Sequence, residues 1–109
     1  MASEIVYVEL TGPGERVVWA RIGRVKFSKT GRTAYYEGRK LRGEGRAWYR
    51  DDESGERFWM QHARADGSDR GGKDKRGSFP IAIDEDVRQE YWSDVRGAPE
   101  RVHEGVIHA

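Results

Sequence analysis

Short runs of alternating apolar and polar residues, separated by turns that contain glycine, fix the fold class of this chain, because such alternation is typical of half-buried β-strands. The longest run covers residues 17–27, where Ala20 and Ile22 share one side of the expected strand. After Gly23 the apolar side changes, and Val25 falls on the other face. A change of phase at a glycine predicts a β-bulge or a sharp bend. A small barrel needs curvature of this kind.

The same alternation predicts further strands before and after this run. Their expected ranges are 5–10, 32–37 or 32–41, 47–51, 56–62 and 79–83, with turns at 43–45 and 52–55. One helix is predicted over 85–96, because Val87, Tyr91 and Val95 recur every four residues and form an apolar stripe. Asp84 stands where an N-cap is expected.

We therefore predict a mainly β (α+β) fold, a small curled antiparallel sheet or SH3-like barrel with one C-terminal amphipathic helix. The single domain is expected to span residues 1–97, and residues 98–109 are expected to form a flexible tail. Residues 64–78, rich in glycine and charge, predict a surface loop. Because 36% of all residues are charged, the core must rely on four tryptophans, five tyrosines and three phenylalanines.

Charge is distributed unevenly along the chain, although the net charge is only +1. Residues 16–50 carry eleven basic and two acidic side chains, a net +9, whereas residues 1–15 carry −3 and residues 51–109 carry −5. Such an uneven distribution of charge indicates what the protein binds rather than how it folds. It predicts a basic β face that binds nucleic acid by neutralising phosphates. The candidate residues are Arg21, Arg24, Lys26, Lys29, Arg32, Arg39, Lys40 and Arg42.

Aromatic side chains near these cations are candidates for stacking on bases or for contacting a protein partner. They are Trp19, Tyr36, Trp48 and Trp92. A structural alternative stays open, in which the cations are solvated strand faces that pair with acidic segments of the same molecule and most rings are core. A protein-interaction or self-associating module, such as a homodimer or a complex with an acidic protein, is the second functional hypothesis.

The residue types argue against several other kinds of site. Without cysteine the chain has no disulfide and no thiolate ligand. His62, His103 and His108 share no rigid scaffold, so we predict neither a metal site nor a cofactor. The segment 66–69 lacks the later glutamate of a calcium loop, and the glycine clusters lack the Gly-Lys-Ser/Thr ending of a phosphate-binding loop. We therefore expect a protein that is not an enzyme.

The start of the chain, MASEIVYVEL, does not have the pattern of a signal peptide. No run approaches the roughly 20 apolar residues that span a bilayer. We expect a cytoplasmic protein without membrane contact.

The chain resembles a group of small uncharacterised bacterial proteins in four stretches, YVELTGPGE, IGRVKFSKTGRTAYYEGRKL, FWMQHARADGSDR and IDEDVRQEYW. Together the resemblance covers most of residues 5–96. It implies a free-standing bacterial domain. Because that group has no established activity, the resemblance implies no site and no substrate.

Overall fold

Six antiparallel strands close into a barrel in the computed structural model, which describes residues 2–65 and 80–107. They are β1 (Ala2–Thr11), β2 (Val17–Phe27), β3 (Thr33–Tyr36), β4 (Arg39–Gly45), β5 (Trp48–Asp51) and β6 (Arg57–His62). Each strand pairs with the next along the chain, and β1 also pairs with β6. The prediction of a small antiparallel barrel is confirmed, and its strands follow an up-and-down order.

A second layer covers one outer face of the barrel. Its strands are β7 (Ile81–Ile83) and β8 (Val106–Ile107). Between them lie a 3-10 turn (Glu85–Val87), an α turn (Arg88–Glu90), a π turn (Tyr91–Val95) and a further 3-10 turn (Pro99–Arg101). β7 runs parallel to residues 20–22 of β2, and β8 pairs antiparallel with β7. The predicted C-terminal helix is thus present as one continuous helical segment over 85–95, although its turns are not uniform.

Apolar residues form two cores, on opposite faces of β1 and β2. The first core fills the barrel with Val6, Val8, Leu10, Val25, Ala34, Tyr36, Leu41, Phe58 and Met60. The second core lies between the barrel and the second layer and contains Tyr7, Ala20, Ile22, Ile81, Ile83, Val87, Tyr91 and Trp92. Each large buried ring removes about 150–250 Å² from water. Rings therefore stabilise both layers of a chain that is poor in aliphatic residues.

The change of apolar phase at Gly23 has a different cause from the predicted β-bulge. β1 and β2 remain in register across Gly23, which pairs with Val6, and their register shifts only between residues 10 and 11. The apolar side changes because Ile22 packs in the second core, whereas Val25 packs inside the barrel. The predicted bulge at Gly23 is therefore wrong: β2 keeps one register with β1 through this position and serves two cores.

The C-terminal residues belong to the second layer, in contrast to the flexible tail expected for 98–109. Trp92 is fully buried, and its indole Nε1 donates a hydrogen bond to the Glu104 carbonyl at 2.8 Å. The Arg101 guanidinium lies 4.1 Å from the centre of the same ring. β8 then adds its backbone to β7. The expected tail is structured through residue 107 because it covers an aromatic side chain that would otherwise face water.

Asp84 stands at the start of the helical segment but makes no capping hydrogen bond with its side chain. Its carboxylate instead accepts a hydrogen bond from the Tyr36 hydroxyl at 2.6 Å. The expected N-cap is thus a link between the second layer and the barrel.

Several expectations fall outside the described residues, namely the surface loop from residue 66 onward, the segment 66–69, the first residue of the strand expected at 79–83, and His108. In the ranges that the structure covers, no helix combines the length and apolar character required to cross a membrane.

Replacement of Gly23 by alanine is expected to destabilise the fold. A Cβ at Gly23 would lie 2.7 Å from Cε1 of Tyr36 and 2.5 Å from a carboxylate oxygen of Asp84. Overpacking of this kind costs about 1–3 kcal/mol. Gly12→Ala is the matched control, because its Cβ would meet only the Val18 side chain at 3.1 Å and the Arg16 carbonyl at 3.8 Å, and Val18 is 60% exposed. Urea unfolding should show a change within about 0.5 kcal/mol for the control. Equal effects of the two substitutions would contradict the close packing at Gly23.

Candidate functional site

Half of the eight basic candidate residues are already paired with carboxylates. An Arg21 guanidinium nitrogen lies 2.6 Å from a Glu37 carboxylate oxygen, next to the turn between β3 and β4. The Arg24 guanidinium lies 2.6 Å from the Glu90 carboxylate on the helical segment. These two pairs tie β2 to its neighbours and reduce its net charge. Arg21 and Arg24 therefore contribute less positive potential than the sequence suggests.

The other two paired residues lie on β4. Arg39 binds the buried Asp51 at 3.1 Å and Glu56 at 2.6 Å. Arg42 binds both oxygens of the Asp52 carboxylate: its Nη2 donates to Oδ1 at 2.9 Å and its Nε donates to Oδ2 at 3.0 Å. That guanidinium holds the pKa of Asp52 below its usual value. The carboxylates at the end of β5 and in the turn that follows thus neutralise the two arginines of β4.

The remaining four candidates, Lys26, Lys29, Arg32 and Lys40, form no ion pair with any described residue. Lys26 and Lys40 flank Tyr35 in adjacent strands, because Tyr35 pairs with Lys26 on one side and with Lys40 on the other. All three side chains share one outer face of the sheet. This face is a row of two cations with a half-buried ring between them.

Lys29 and Arg32 lie in the loop between β2 and β3, at one end of the barrel. The two-residue turn Arg46–Ala47 between β4 and β5 lies at the same end. Arg46 is exposed and, like Lys29 and Arg32, has no carboxylate partner in the described part of the chain. We call this end, with loop 28–32 and the turn Arg46–Ala47, the loop end of the barrel.

Two clefts open at the loop end. The first, which we call the mouth cleft, has a volume of about 580 Å³. Its floor is Val6, Phe27, Tyr49 and Met60, and its rim includes Glu4, Lys29, Thr30, Gln61 and His62. The second cleft, of about 650 Å³, is lined by Arg32, Arg42, Arg46 and Trp48. The two share Gly31, Ala47 and Tyr49, so they are adjoining halves of one depression that these residues divide.

The ring of Tyr49 is fixed between the two clefts. Its hydroxyl donates a hydrogen bond to the Gly31 carbonyl at 3.0 Å, and its ring packs 6.1 Å from that of Phe27. Burial, together with the nearby Glu4 carboxylate, raises the pKa of Tyr49 above its usual value. Tyr49 is therefore a neutral, positioned ring at neutral pH.

The turn Arg46–Ala47 carries backbone strain. Both residues have positive φ, 50° and 71°, in a two-residue turn of the kind that usually contains asparagine and glycine. A left-handed conformation costs an ordinary residue about 1–2 kcal/mol. The turn predicted at 43–45 lies instead at Arg46–Ala47, because β4 continues to Gly45. Strained non-glycine residues are concentrated at ligand-binding sites.

Of the four aromatic candidates, only Trp48 faces outward. Tyr36 is 3% exposed and lies inside the barrel, because Tyr35 takes the outward position on β3. Trp92 is buried in the second core. Trp19 packs against the barrel core, and its ring lies 4.1 Å from the guanidinium of Arg21. Tyr36 and Trp92 are therefore corrected from contact residues to packing residues, whereas Trp19 is half-buried.

Trp48 is half-buried on the outer face of β5, opposite Trp59 of β6. The Arg57 guanidinium lies 4.3 Å from the centre of its ring. Arg57 and Arg50 share the carboxylate of Glu44, at 3.4 Å and 2.9 Å. Trp48 therefore lines the second cleft, while the Arg57 guanidinium covers part of its ring face.

A polar cluster at the junction of the two layers has a structural role. The Tyr36 hydroxyl, Asp84 and Arg21 meet beside the part of β2 that lies between its pairings with β7 and with β3. The Asp84 backbone amide also donates a hydrogen bond to the Ile22 carbonyl at 2.9 Å. Burial raises the pKa of Asp84, and the nearby Glu37 charge adds to this effect. Within the described ranges no cluster of three histidine or acidic side chains could hold a metal ion.

We expect Asp51→Asn to destabilise the protein at neutral pH and to lose this effect in acid. Burial acts to raise the pKa of Asp51, but the backbone amides of Glu53 and Ser54 and the Arg39 guanidinium outweigh it, and the folded-state pKa is lowered. A lowered pKa stabilises the fold above the unfolded value of about 3.9 and stops doing so as the pH falls through the folded value. Urea unfolding from neutral pH to about pH 2 measures this dependence.

Asp52→Asn is the matched control, because Asp52 is exposed and pairs with Arg42 on the surface. Its effect should be much smaller at every pH, since exposed ion pairs contribute little. A loss for Asp51→Asn that persists in strong acid would contradict the assigned role of its charge.

Comparisons with known proteins gave no match to a family model, to a curated protein or to a solved structure.

Proposed function

We propose that this domain is a non-catalytic module that binds single-stranded nucleic acid at the loop end of the barrel and along the adjoining face of β2, β3 and β4. One observation carries this function. Five cations without a carboxylate partner among the described residues lie beside one of the two clefts or beside the outward ring of Tyr35, and of the four paired candidates only Arg42 reaches a cleft. These five are Lys26, Lys29, Arg32, Lys40 and Arg46.

Unpaired cations are the ones that can neutralise phosphates. A phosphate that approached Arg42 would have to displace Asp52 from a two-pronged contact. Lys29, Arg32 and Arg46 have no such competitor, so phosphate binding releases counterions without breaking an internal pair. On single strands each neutralised phosphate contributes about −0.7 to the slope of log K against log salt. Five contacts would therefore give a slope of about −3.5.

Single strands fit this surface better than duplexes do. Tyr35 and Trp48 are half-buried outward rings, and both clefts have apolar walls. Unstacked bases pack on such rings, whereas the bases of a duplex are already stacked. Binding of RNA or DNA strands also agrees with the cytoplasmic location expected from the sequence.

Self-association is the second candidate function, and one observation favours it. The end of the barrel opposite the loop end carries a group of carboxylates: Glu37, Asp51, Asp52, Glu53 and Glu56. A second copy could place this end against the loop end. Large exposed apolar side chains are few among the described residues, however, with only Val18 and Val106 in this class. Sedimentation velocity over a wide concentration range would reveal a dimer.

Reversal of the charge of Arg32 tests nucleic-acid binding. Arg32→Glu should weaken the binding of a fluorescein-labelled single strand at low salt and reduce the magnitude of the salt slope by about 0.7, and adding Lys29→Glu should reduce it by about as much again. Fluorescence anisotropy over a range of salt concentrations provides the measurement.

Arg16→Glu is the matched control. Arg16 is also exposed and unpaired, but it lies in the turn before β2, about 30 Å from loop 28–32 at 3.3 Å per strand residue. The control should bind like the original protein. If no single strand binds at low salt, or if both reversals weaken binding equally, the proposed function is wrong.

A further inference from the structure

The chemistry of the mouth cleft goes further than electrostatic attachment. Resting on the proposed function, we infer that this cleft receives one unstacked base of the bound strand and favours bases with an exocyclic amino group. Neighbouring phosphates are then held outside, on Lys29 and Arg32.

The size and walls of the mouth cleft suit a planar ring. Its volume of about 580 Å³ falls within the range of about 300–1,000 Å³ that small-ligand sites occupy. The rings of Phe27 and Tyr49 form an aromatic surface inside the cleft, and Met60 adds a polarisable side chain. Because Tyr49 is held by Gly31, the wall is positioned before a ligand arrives.

The cleft is a dead end rather than a channel. Val6 and Met60 on its floor are 1% and 3% exposed, and beneath them lie the fully buried Val8 and Phe58 of the barrel core. A continuous strand cannot pass through the barrel. The cleft therefore accommodates a single group that leaves the strand, such as a base turned out of its stack.

Charge decides which part of a nucleotide enters the cleft. Glu4 is the acidic residue on the described lining, and its Oε2 lies 3.0 Å from Nδ1 of His62. A carboxylate repels a phosphate but accepts hydrogen bonds from amino groups. Lys29 lies on the rim of the same cleft, and Arg32 lines the adjoining one. We therefore expect the base to enter the cleft, where its amino group meets Glu4, and the phosphates to stay outside, where they meet Lys29 and Arg32.

The strained turn forms the wall between the clefts. The Ala47 carbonyl accepts a hydrogen bond from the Met60 amide at 2.9 Å, so the turn is fastened to the floor of the mouth cleft. Arg46 is thereby held at the edge of the depression, where the next phosphate along the strand would lie. A strained turn persists only where surrounding contacts hold it, and the hydrogen bond from Met60 is such a contact.

Cytosine and uracil provide the sharpest test, because position 4 is an amino donor in cytosine and a carbonyl acceptor in uracil, while N3 changes from an acceptor to an N–H donor. A Glu4 carboxylate that accepts from the amino group therefore favours cytosine. Labelled oligo-C, oligo-U and an abasic strand, each of about 12 nucleotides, carry equal charge. We expect anisotropy titrations to rank oligo-C about tenfold tighter than oligo-U, and the abasic strand weakest. Glu4→Gln should reduce the ratio between oligo-C and oligo-U, whereas a purely electrostatic role of Glu4 would raise all three affinities equally.

His62→Trp should fill the cleft, because His62 follows Phe58 and Met60 on the barrel side of β6. It should lower the affinity for oligo-C to that for the abasic strand while leaving abasic binding unchanged. Gln89→Trp is the matched control, since Gln89 is exposed on the helical segment, and it should leave all three affinities unchanged. Equal binding of the three strands by the original protein would overturn the base site and leave the proposed function intact. Failure of all three to bind at low salt would remove the proposed function itself.

Discussion

Strand β2 takes part in both cores of this protein, and the rest of the structure depends on that fact. Its first half places Ala20 and Ile22 against the second layer, and its second half places Val25 inside the barrel. Gly23 stands between the halves, where the Tyr36 ring and the Asp84 carboxylate close over the backbone. A side chain at this point would press against both groups. The close approach of the Tyr36 ring and the Asp84 carboxylate to the β2 backbone therefore depends on that one empty position.

The main features of the fold could be predicted from the sequence because they follow from local pattern. Alternation identified the barrel strands, and the stripe through Val87 and Tyr91 identified the helical segment. A pattern gives the apolar side of a strand without saying which core lies there, so the phase change at Gly23 was interpreted as a bulge. The structure of residues 98–107 could not be predicted either, because their packing against Trp92 is a contact that only the folded chain makes.

The candidate site was harder to predict, because pairing between charges is long-range. Arg24 and Glu90 are 66 positions apart, and only the folded chain shows that they neutralise each other. The turn was predicted on the glycines at 43–45, whereas the chain turns through Arg46 and Ala47, two residues of types that rarely adopt positive φ. Tyr36 was expected to face outward, but Tyr35 does so instead. Alternation predicts that one of two neighbouring rings faces outward without identifying which one. The sequence nevertheless supplied Lys29 and Arg32, which line the two clefts.

The contacts of Trp92 also bear on where the chain can be shortened. A truncation after residue 97, the boundary that the sequence suggests, would delete Arg101, the Glu104 carbonyl and β8 together. The largest side chain of the second core would then face solvent, and the edge of β7 would lose its partner. Exposed rings beside an open strand edge promote intermolecular pairing. Such a fragment would be prone to aggregation, so the smallest practical unit for recombinant work extends at least to residue 107.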